Sequence, residues 1–317
     1  MTCHVRDSVR QIDPQSWLIG GEFVVSRRRS AQGSLWGDSH GWGYTILDPP
    51  PFPPSTSPLP PESHVRLIHD AGDASAVWTF GHAFLKVKLV QDTNTATEEH
   101  VTLKWLAERK LSFAVPSVLY HAQDDDKRYL IVSRLPGTTL NEAWRSMSDN
   151  EKEYYVNRIA DICVELSGWE SDAMTGVDGK ELPDNWLDPC RTPHDFRAET
   201  LKGNCLQLGM ECSTFVFGHN DLGPSNIIVD REDLSVGIID WEMAGFVPRG
   251  WIRTKFDVSW GMDFGWRDVG DDLLLAEWRK RVAERLGATG FPEVNNSWKE
   301  WFNMRYKMRA SHRIEIN

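Results

Sequence analysis

Residues 217–242 read FGHNDLGPSNIIVDREDLSVGIIDWE, and this segment holds the side chains whose types and spacing could do chemistry. His219, Asp221 and Leu222 open it, Asn226 follows five residues after Asp221, and Asp240 stands nineteen beyond Asp221. Phosphoryl transfer from ATP needs one carboxylate to accept or orient the proton of the attacking hydroxyl, and separate oxygen ligands to hold magnesium on the polyphosphate. A five-residue spacing on one loop lets Asp221 face an incoming hydroxyl while the amide oxygen of Asn226 reaches a metal. The apolar runs 227–229 and 236–239 flank a turn at 230–233, the pattern of a hairpin that returns Asp240 as an anionic metal ligand. His219 reads as a side chain that packs and hydrogen-bonds beneath this loop. Glu242 reads equally as an aid to the metal and as a tie for the next loop.

That chemistry requires phosphate-contacting groups upstream. Lys86, in FLKVK, falls on a predicted strand, where its ammonium would contact the α and β phosphates as a mobile point charge. Glu99, thirteen residues later, falls on a predicted helix and could pair with it. Lys88 on the same strand face competes with Lys86, Glu98 competes with Glu99, and the spacing leaves both choices open. Only Gly72 and Gly81 punctuate the strands around DASAVWTF, which is neither Gly-x-Gly-x-x-Gly nor a Walker loop. Cover over the phosphates must therefore come from backbone amides and small residues such as Ala74 and Ser75.

The elements that position these groups divide in character. Residues 49–61 contain eight prolines in thirteen positions, which favours an extended connector over helix or central strand. Before it, residues 17–26 predict one strand and residues 27–43 an irregular segment. Residues 64–90 alternate β-branched and apolar runs with turns, as short antiparallel strands do, and 118–120 and 129–132 predict two more. Residues 93–109 predict an amphipathic helix starting near a threonine cap. Further helices are predicted at 140–147, 151–169 with a cap at Ser148 or Asp149, 195–208, 271–286 and 297–311. A mostly β lobe followed by a mostly α lobe results.

The chain has 317 residues, enough for two lobes, with 35 basic and 46 acidic side chains and a formal net charge of −11. That balance argues against a nucleic-acid partner, since counterion release needs a clustered positive surface, and favours neutral or cationic partners. The first residues lack the apolar core of a signal peptide, and no apolar run approaches the roughly 18 residues of a membrane span. A cytoplasmic protein without membrane association is expected. Cys3, Cys163, Cys190, Cys205 and Cys212 show no CxxC pair and no zinc spacing, so free thiols are expected. The fifteen tryptophans are expected to fill the core.

Residues 219–226, with IIDWE at 238–242, resemble the aminoglycoside phosphotransferase and choline kinase branch of the protein-kinase-like superfamily. The likeness covers residues 64–256 and is specific at the catalytic loop and the IDWE segment. It implies an α+β, bilobal protein-kinase-like fold with a small antiparallel β N-lobe and a larger, mainly α-helical C-lobe. It also implies ATP and Mg2+ as cofactors and a small-molecule hydroxyl as acceptor. On this reading residues 1–62 are an extension with a proline-rich linker, 63–135 the N-lobe with hinge, and 136–317 the helical C-lobe. By position, Asp221 resembles the catalytic base, Asn226 and Asp240 the magnesium ligands, Lys86 the phosphate-contacting lysine and Glu99 its partner.

The segment 132–140, VSRLPGTTL, is similar to the family hinge, so backbone groups of Ser133 and Leu135 would meet adenine. Residues 245–256, GFVPRGWIRTKF, further resemble fungal members. The family often has Gly where Asn220 stands and His where Gly223 stands. Protein kinases proper are disfavoured, because the arginine beside the catalytic aspartate, Asp-Phe-Gly and Ala-Pro-Glu are absent. The acidic run Asp257, Asp263, Asp268, Asp271 and Asp272 could receive a cationic acceptor, against the plainer expectation of helix caps and solvated surface. The rival reading is a kinase-like nucleotide-binding or ligand-binding protein with weak or lost catalysis.

Overall fold

The computed structural model describes residues 4–29, 32–49, 51–52, 54–90, 95–124, 126–189, 194–259, 262–263 and 272–314. The chain divides into two compact units, Met1–Asn94 with Pro116–Arg134, and Thr95–Val115 with Leu135–Asn317.

In the first unit, β1 (Val9–Asp13), β2 (Ser16–Ile19), β3 (Phe23–Arg28), β4 (Trp36–Gly37) and β5 (Gly43–Leu47) form an antiparallel sheet in the order β1-β2-β3-β5-β4. A second antiparallel sheet orders β6 (Val65–Asp70), β7 (Ser75–Phe80), β8 (Ala83–Leu89), β9 (Val118–Gln123) and β10 (Lys127–Ser133) as β6-β7-β8-β10-β9. Both bury their apolar faces in one core, with Trp17, Phe23 and Tyr44 from the first sheet and Trp78, Leu85 and Ile131 from the second. Trp17 stacks on Tyr44 and meets Phe80 edge-on.

Residues 17–26 correct the expectation of one strand. They form two, joined at Gly20 and Gly21, whose φ values of +59° and +92° turn the chain back on itself. A Cβ at Gly20 would lie 2.0 Å from the Tyr129 hydroxyl, so a side chain has no room there. The stretch 27–43, expected to be irregular, contributes the end of β3, β4 and the start of β5. Its polar residues are absorbed by pairing: Arg27 is buried against Asp38 at 2.7 Å with its guanidinium over Trp42. The proline-rich stretch lies along β1, with Ser57 and Gln11 exchanging backbone hydrogen bonds of 2.8 and 2.9 Å.

The second unit holds seven α-helices among the described residues: α1 (Glu99–Ala107), α2 (Leu140–Ala143), α3 (Asp149–Leu166), α4 (Ala198–Gln207), α5 (Arg249–Val258), α6 (Asp272–Ala288) and α7 (Asn295–Ile314). Two small sheets complete it: β11 (Thr138–Thr139), β14 (Ile227–Asp230) and β15 (Ser235–Ile238), then β12 (Glu170–Ser171), β13 (Phe215–Gly218) and β16 (Gly245–Val247). Ser148 caps α3 in a capping box with Glu151, and Tyr155, Ile159, Ile162 and Leu166 are buried at the expected spacing. The helix expected from residue 93 begins instead at Glu99 without a side-chain cap, and Thr93 lies outside the described residues. Thr95 and Thr97 spend their hydroxyls on Glu181 and Asp178 rather than on a helix end.

α5 was not expected. Its apolar stripe, Trp251, Ile252, Phe256 and Val258, is interrupted by Lys255. Among the described residues six tryptophans are fully buried, as expected of a core. Cys163, Cys205 and Cys212 are free and buried, while Cys3 and Cys190 lie outside the described residues. No helix among the described residues is long and apolar enough to cross a membrane.

Candidate active site

β13 delivers the chain to residue 218, and the loop that follows is held by its own backbone. Asn220 takes a left-handed φ of +63°, a conformation that favours glycine. Asparagine tolerates that conformation, and its Nδ2 donates to the Met243 carbonyl at 3.1 Å. His219, 2% exposed, meets Trp241 edge-on at 4.6 Å. The Asp221 amide donates to His219 Nδ1 at 3.2 Å, so His219 Nε2 carries the hydrogen and donates to the Ile239 carbonyl at 2.9 Å. His219 therefore ties the loop to the strand end before Asp240, as the sequence suggested.

Asn226 closes the loop. Its Nδ2 donates to the Asp221 carbonyl at 2.8 Å and to Asp221 Oδ2 at 3.1 Å. With the amide nitrogen committed, Asn226 Oδ1 is the acceptor it can offer a metal. Burial pushes the Asp221 carboxyl above its ordinary 3.8; Lys255 and the Asn226 amide draw it down, while Asp240 and Asp184 push it further up.

The hairpin β14–β15 forms in register, Ile227 opposite Ile238 and Asp230 opposite Ser235, and brings the chain to Asp240. Asp240 is left-handed at φ 66° and ψ 60°, a conformation that costs a non-glycine residue about 1–3 kcal/mol and that its surroundings must impose. Trp241, fully buried, does so by donating its indole N–H to Ile238 O at 2.9 Å and its backbone N–H to Glu99 Oε1 at 3.2 Å. Glu99, Asp240 and Glu242 each bring a carboxylate oxygen within 4.8 Å of the others. Three carboxylates so close repel one another, and hard oxygen donors of this kind suit a magnesium-class cation. Glu98 pairs with His100 at 3.2 Å instead, so Glu99 is the glutamate brought to Asp240.

On β8 of the first unit, Ala83, Leu85 and Val87 face the core, and Lys86 and Lys88 share the opposite face. Lys86 stands across from Val77 and Leu130, and Lys88 across from Ser75 and Arg128. Ser133 ends β10; its N–H donates to Ser117 O at 2.9 Å, so this donor is not available to adenine. Of the acidic run, Asp257 accepts from Asn295 and Asp263 pairs with Arg279 at 2.6 Å. Asp272 begins α6, and Asp268 and Asp271 lie outside the described residues. Asp257 and Asp263 are thus half-buried and partnered within the fold, neither helix caps nor solvated surface.

Two residues the sequence reading passed over lie beneath the loop. Lys255 of α5 and Asp184 form an ion pair at 2.8 Å, 1% and 0% exposed. The signal was present as a lysine on the apolar stripe of a helix, but its partner is 71 residues away. Lys255 lines a cavity of about 20 Å3 with Gly218, His219, Asn220, Leu222 and Cys163.

Residues 67–295 match the model of a family described as the phosphotransferase enzyme family. None of the curated proteins matches the chain. Among solved structures, the aminoglycoside phosphotransferase APH(3'')-Id from Streptomyces rimosus is similar at 18% identity and a TM-score of 0.50, covering 74% of this chain and 90% of that one. The gentamicin complex of APH(2")-IIa is similar at 19% identity and a TM-score of 0.49, covering 75% of this chain and 80% of that one. The first likeness shows the kinase-like fold expected from the motifs.

Proposed function

The chain belongs to the phosphotransferase enzyme family, and from that premise we propose that it moves the γ-phosphate of ATP to a hydroxyl of a small molecule. The observation that carries this reading is the doubly hydrogen-bonded Asn226–Asp221 pair next to Asp240 on its hairpin. Asp221 is the group that orients the acceptor hydroxyl and takes its proton. Asn226 Oδ1 and Asp240 are the residues that would hold magnesium, with Glu242 beside them. When bound, the ion supplies positive charge to the polyphosphate oxygens.

Lys86 is assigned to the α and β phosphates with Glu99 as its partner. The hinge donor to adenine is assigned to the Leu135 N–H, because the Ser133 N–H is spent on Ser117; Ser133 is left its carbonyl. Residues 63–135 then act as the nucleotide lobe with hinge, 136–317 as the catalytic and acceptor lobe, and 1–62 as an extension. The resemblance of residues 245–256 supports placing the chain near fungal members. The acceptor is a small alcohol, and a cationic one suits the acidic charge balance.

One observation favours a weaker activity. Asp70 ends β6 and Asp73 stands in the turn to β7, where phosphate cover is needed, and these pair with Arg6 at 3.9 Å and His4 at 2.8 Å. A kinase-like binder with little catalysis is the second reading. The deciding experiment compares wild type with Asp221→Ala for magnesium-ATP binding by thermal shift and for phosphate transfer to a hydroxyl library. Transfer by the wild type that disappears in the variant, with binding retained, supports the enzyme. Binding without transfer in both supports the binder, and full transfer by the variant removes the role of Asp221.

A further inference from the structure

Lys255 is a lysine in an expensive place. It sits on α5 at 1% exposure, and its ammonium bonds Asp184 at 2.8 Å. Asp184 is fully buried and anchored independently, accepting the Trp251 indole N–H at 2.8 Å and the Trp186 amide at 3.0 Å. Taking such a pair out of water costs several kcal/mol per ion, and apolar residues of similar size serve stability as well or better. Stability alone therefore does not explain a charged pair here.

Its position does. The cavity wall that Lys255 shares with Gly218, His219, Asn220 and Leu222 is the underside of the catalytic loop. Two carboxylates, Asp221 and Asp240, act on one another in the site above. Lys255 lines the cavity with Asn220 and Leu222, the residues on either side of Asp221, and is the favourable charge there, opposed by Asp240 and Asp184. Asp184 thus acts as the anchor that aims the ammonium, and the ammonium offsets the repulsion that would drive Asp221 away from its place beside Asn226.

We infer that Lys255, held by Asp184, is a positioning residue for phosphoryl transfer: a buried fixed positive charge beneath the loop that keeps Asp221 set for the acceptor. This rests on the phosphotransferase reading given above. Lys255 touches neither phosphate nor acceptor in this role, so its loss falls on turnover and spares nucleotide affinity.

The test uses the full chain with magnesium-ATP, following ADP release with water as acceptor and with gentamicin or streptomycin added, beside melting temperature. Lys255→Met alone strands the buried Asp184 charge and should lower both stability and turnover. The double variant Lys255→Met/Asp184→Asn removes both charges while leaving an oxygen for Trp251, and should recover the melting temperature to within about 3 °C of wild type. Its turnover should stay down about 100-fold with KM for ATP changed less than about threefold. Recovery of turnover together with stability would show the pair to be structural only and overturn the inference.

Asp184→Asn guards against a double variant that fails to fold. It leaves the ammonium without its charged anchor, so melting temperature should fall and turnover with it, by about 10-fold, with KM for ATP changed less than about threefold. Wild-type turnover in this variant, despite a lower melting temperature, would overturn the role of Asp184 as the anchor. A wild type that releases no ADP with any acceptor refutes the phosphotransferase reading itself and this role with it. That outcome is distinguishable, because failure of the Lys255 role alone leaves the wild type active.

Discussion

The amide nitrogen of Asn226 donates to both the backbone carbonyl and the carboxylate of Asp221, at 2.8 and 3.1 Å. One side chain thus sets the loop's curvature and the orientation of its carboxylate, and the same hydrogen bonds turn Asn226 Oδ1 to its remaining task as an acceptor. Asp221 O also accepts from the Gly223 amide at 2.9 Å, and the Asn226 carbonyl accepts from Ile239 at 3.0 Å, so the loop and the hairpin end are one connected piece.

Asn226→Ala should therefore impair two functions together. Turnover should fall by about 100-fold or more, and the magnesium concentration for half-maximal activity should rise. Asn226→Asp keeps an oxygen ligand but sets a second carboxylate against Asp221 and loses the donor. It should recover part of the magnesium response and little of the turnover. A magnesium titration of phosphate transfer checks both; a variant with normal turnover and a normal magnesium midpoint would remove Asn226 from the site.

The loop at 219–226 and its hairpin were legible in the sequence because their contacts are set by local spacing. Asp221 and Asn226 meet across five residues, and residues 227–230 and 235–238 pair across a short turn. The first sheet was not legible, because the burial of Arg27 depends on Asp38 and on the ring of Trp42, and no local period encodes those partners. Lys255 was hidden for the same reason, its anchor being 71 residues away. Which of Glu98 and Glu99 reaches Asp240 turned on tertiary placement, His100 taking one and Trp241 the other.

His219 joins Asp221 to Ile239 through its two ring nitrogens. His219→Ala would leave the Ile239 carbonyl and the Asp221 amide without these partners in a buried setting, at about 1–3 kcal/mol for each group. The melting temperature should fall by several degrees and turnover with it. His219→Asn, which can both accept and donate, should recover part of each. Thermal unfolding and transfer assays on the two variants decide the matter, and an unaffected alanine variant would show that the loop stands without the ring.

Gly137 has φ +102°, and a Cβ there would lie 2.4 Å from the Val229 carbonyl oxygen and 2.8 Å from its carbonyl carbon. Both obstacles are backbone of β14, the strand that pairs with β11 through Thr138 opposite Val229. Gly137→Ala thus adds a left-handed penalty to a clash that only movement of β14 can relieve. The variant should lose more than about 2 kcal/mol in urea unfolding and lose turnover, since β14 leads from Asn226. Wild-type stability in this variant would contradict the close approach.

Asp38 is held below its ordinary 3.8: burial pushes the carboxyl up, but hydrogen bonds from Arg27 and from the amides of Trp42 and His40 outweigh it. These bonds are 2.9 and 2.7 Å from the guanidinium, 3.1 Å from Trp42 and 2.8 Å from His40. A depressed folded value means that the unfolded chain binds the extra proton first, so the stabilisation is complete above pH 3.8 and is lost as pH falls through the lower folded value. Asp38→Asn removes the charge and leaves Arg27 buried without its counterion, which should cost about 3–5 kcal/mol at pH 7. The gap between wild type and variant should then narrow below about pH 4, because protonation does to the wild type what the substitution has already done. Urea unfolding of the two proteins from pH 7 to pH 3 measures this gap directly, and a gap independent of pH would mean that Asp38 is not ionised in the fold.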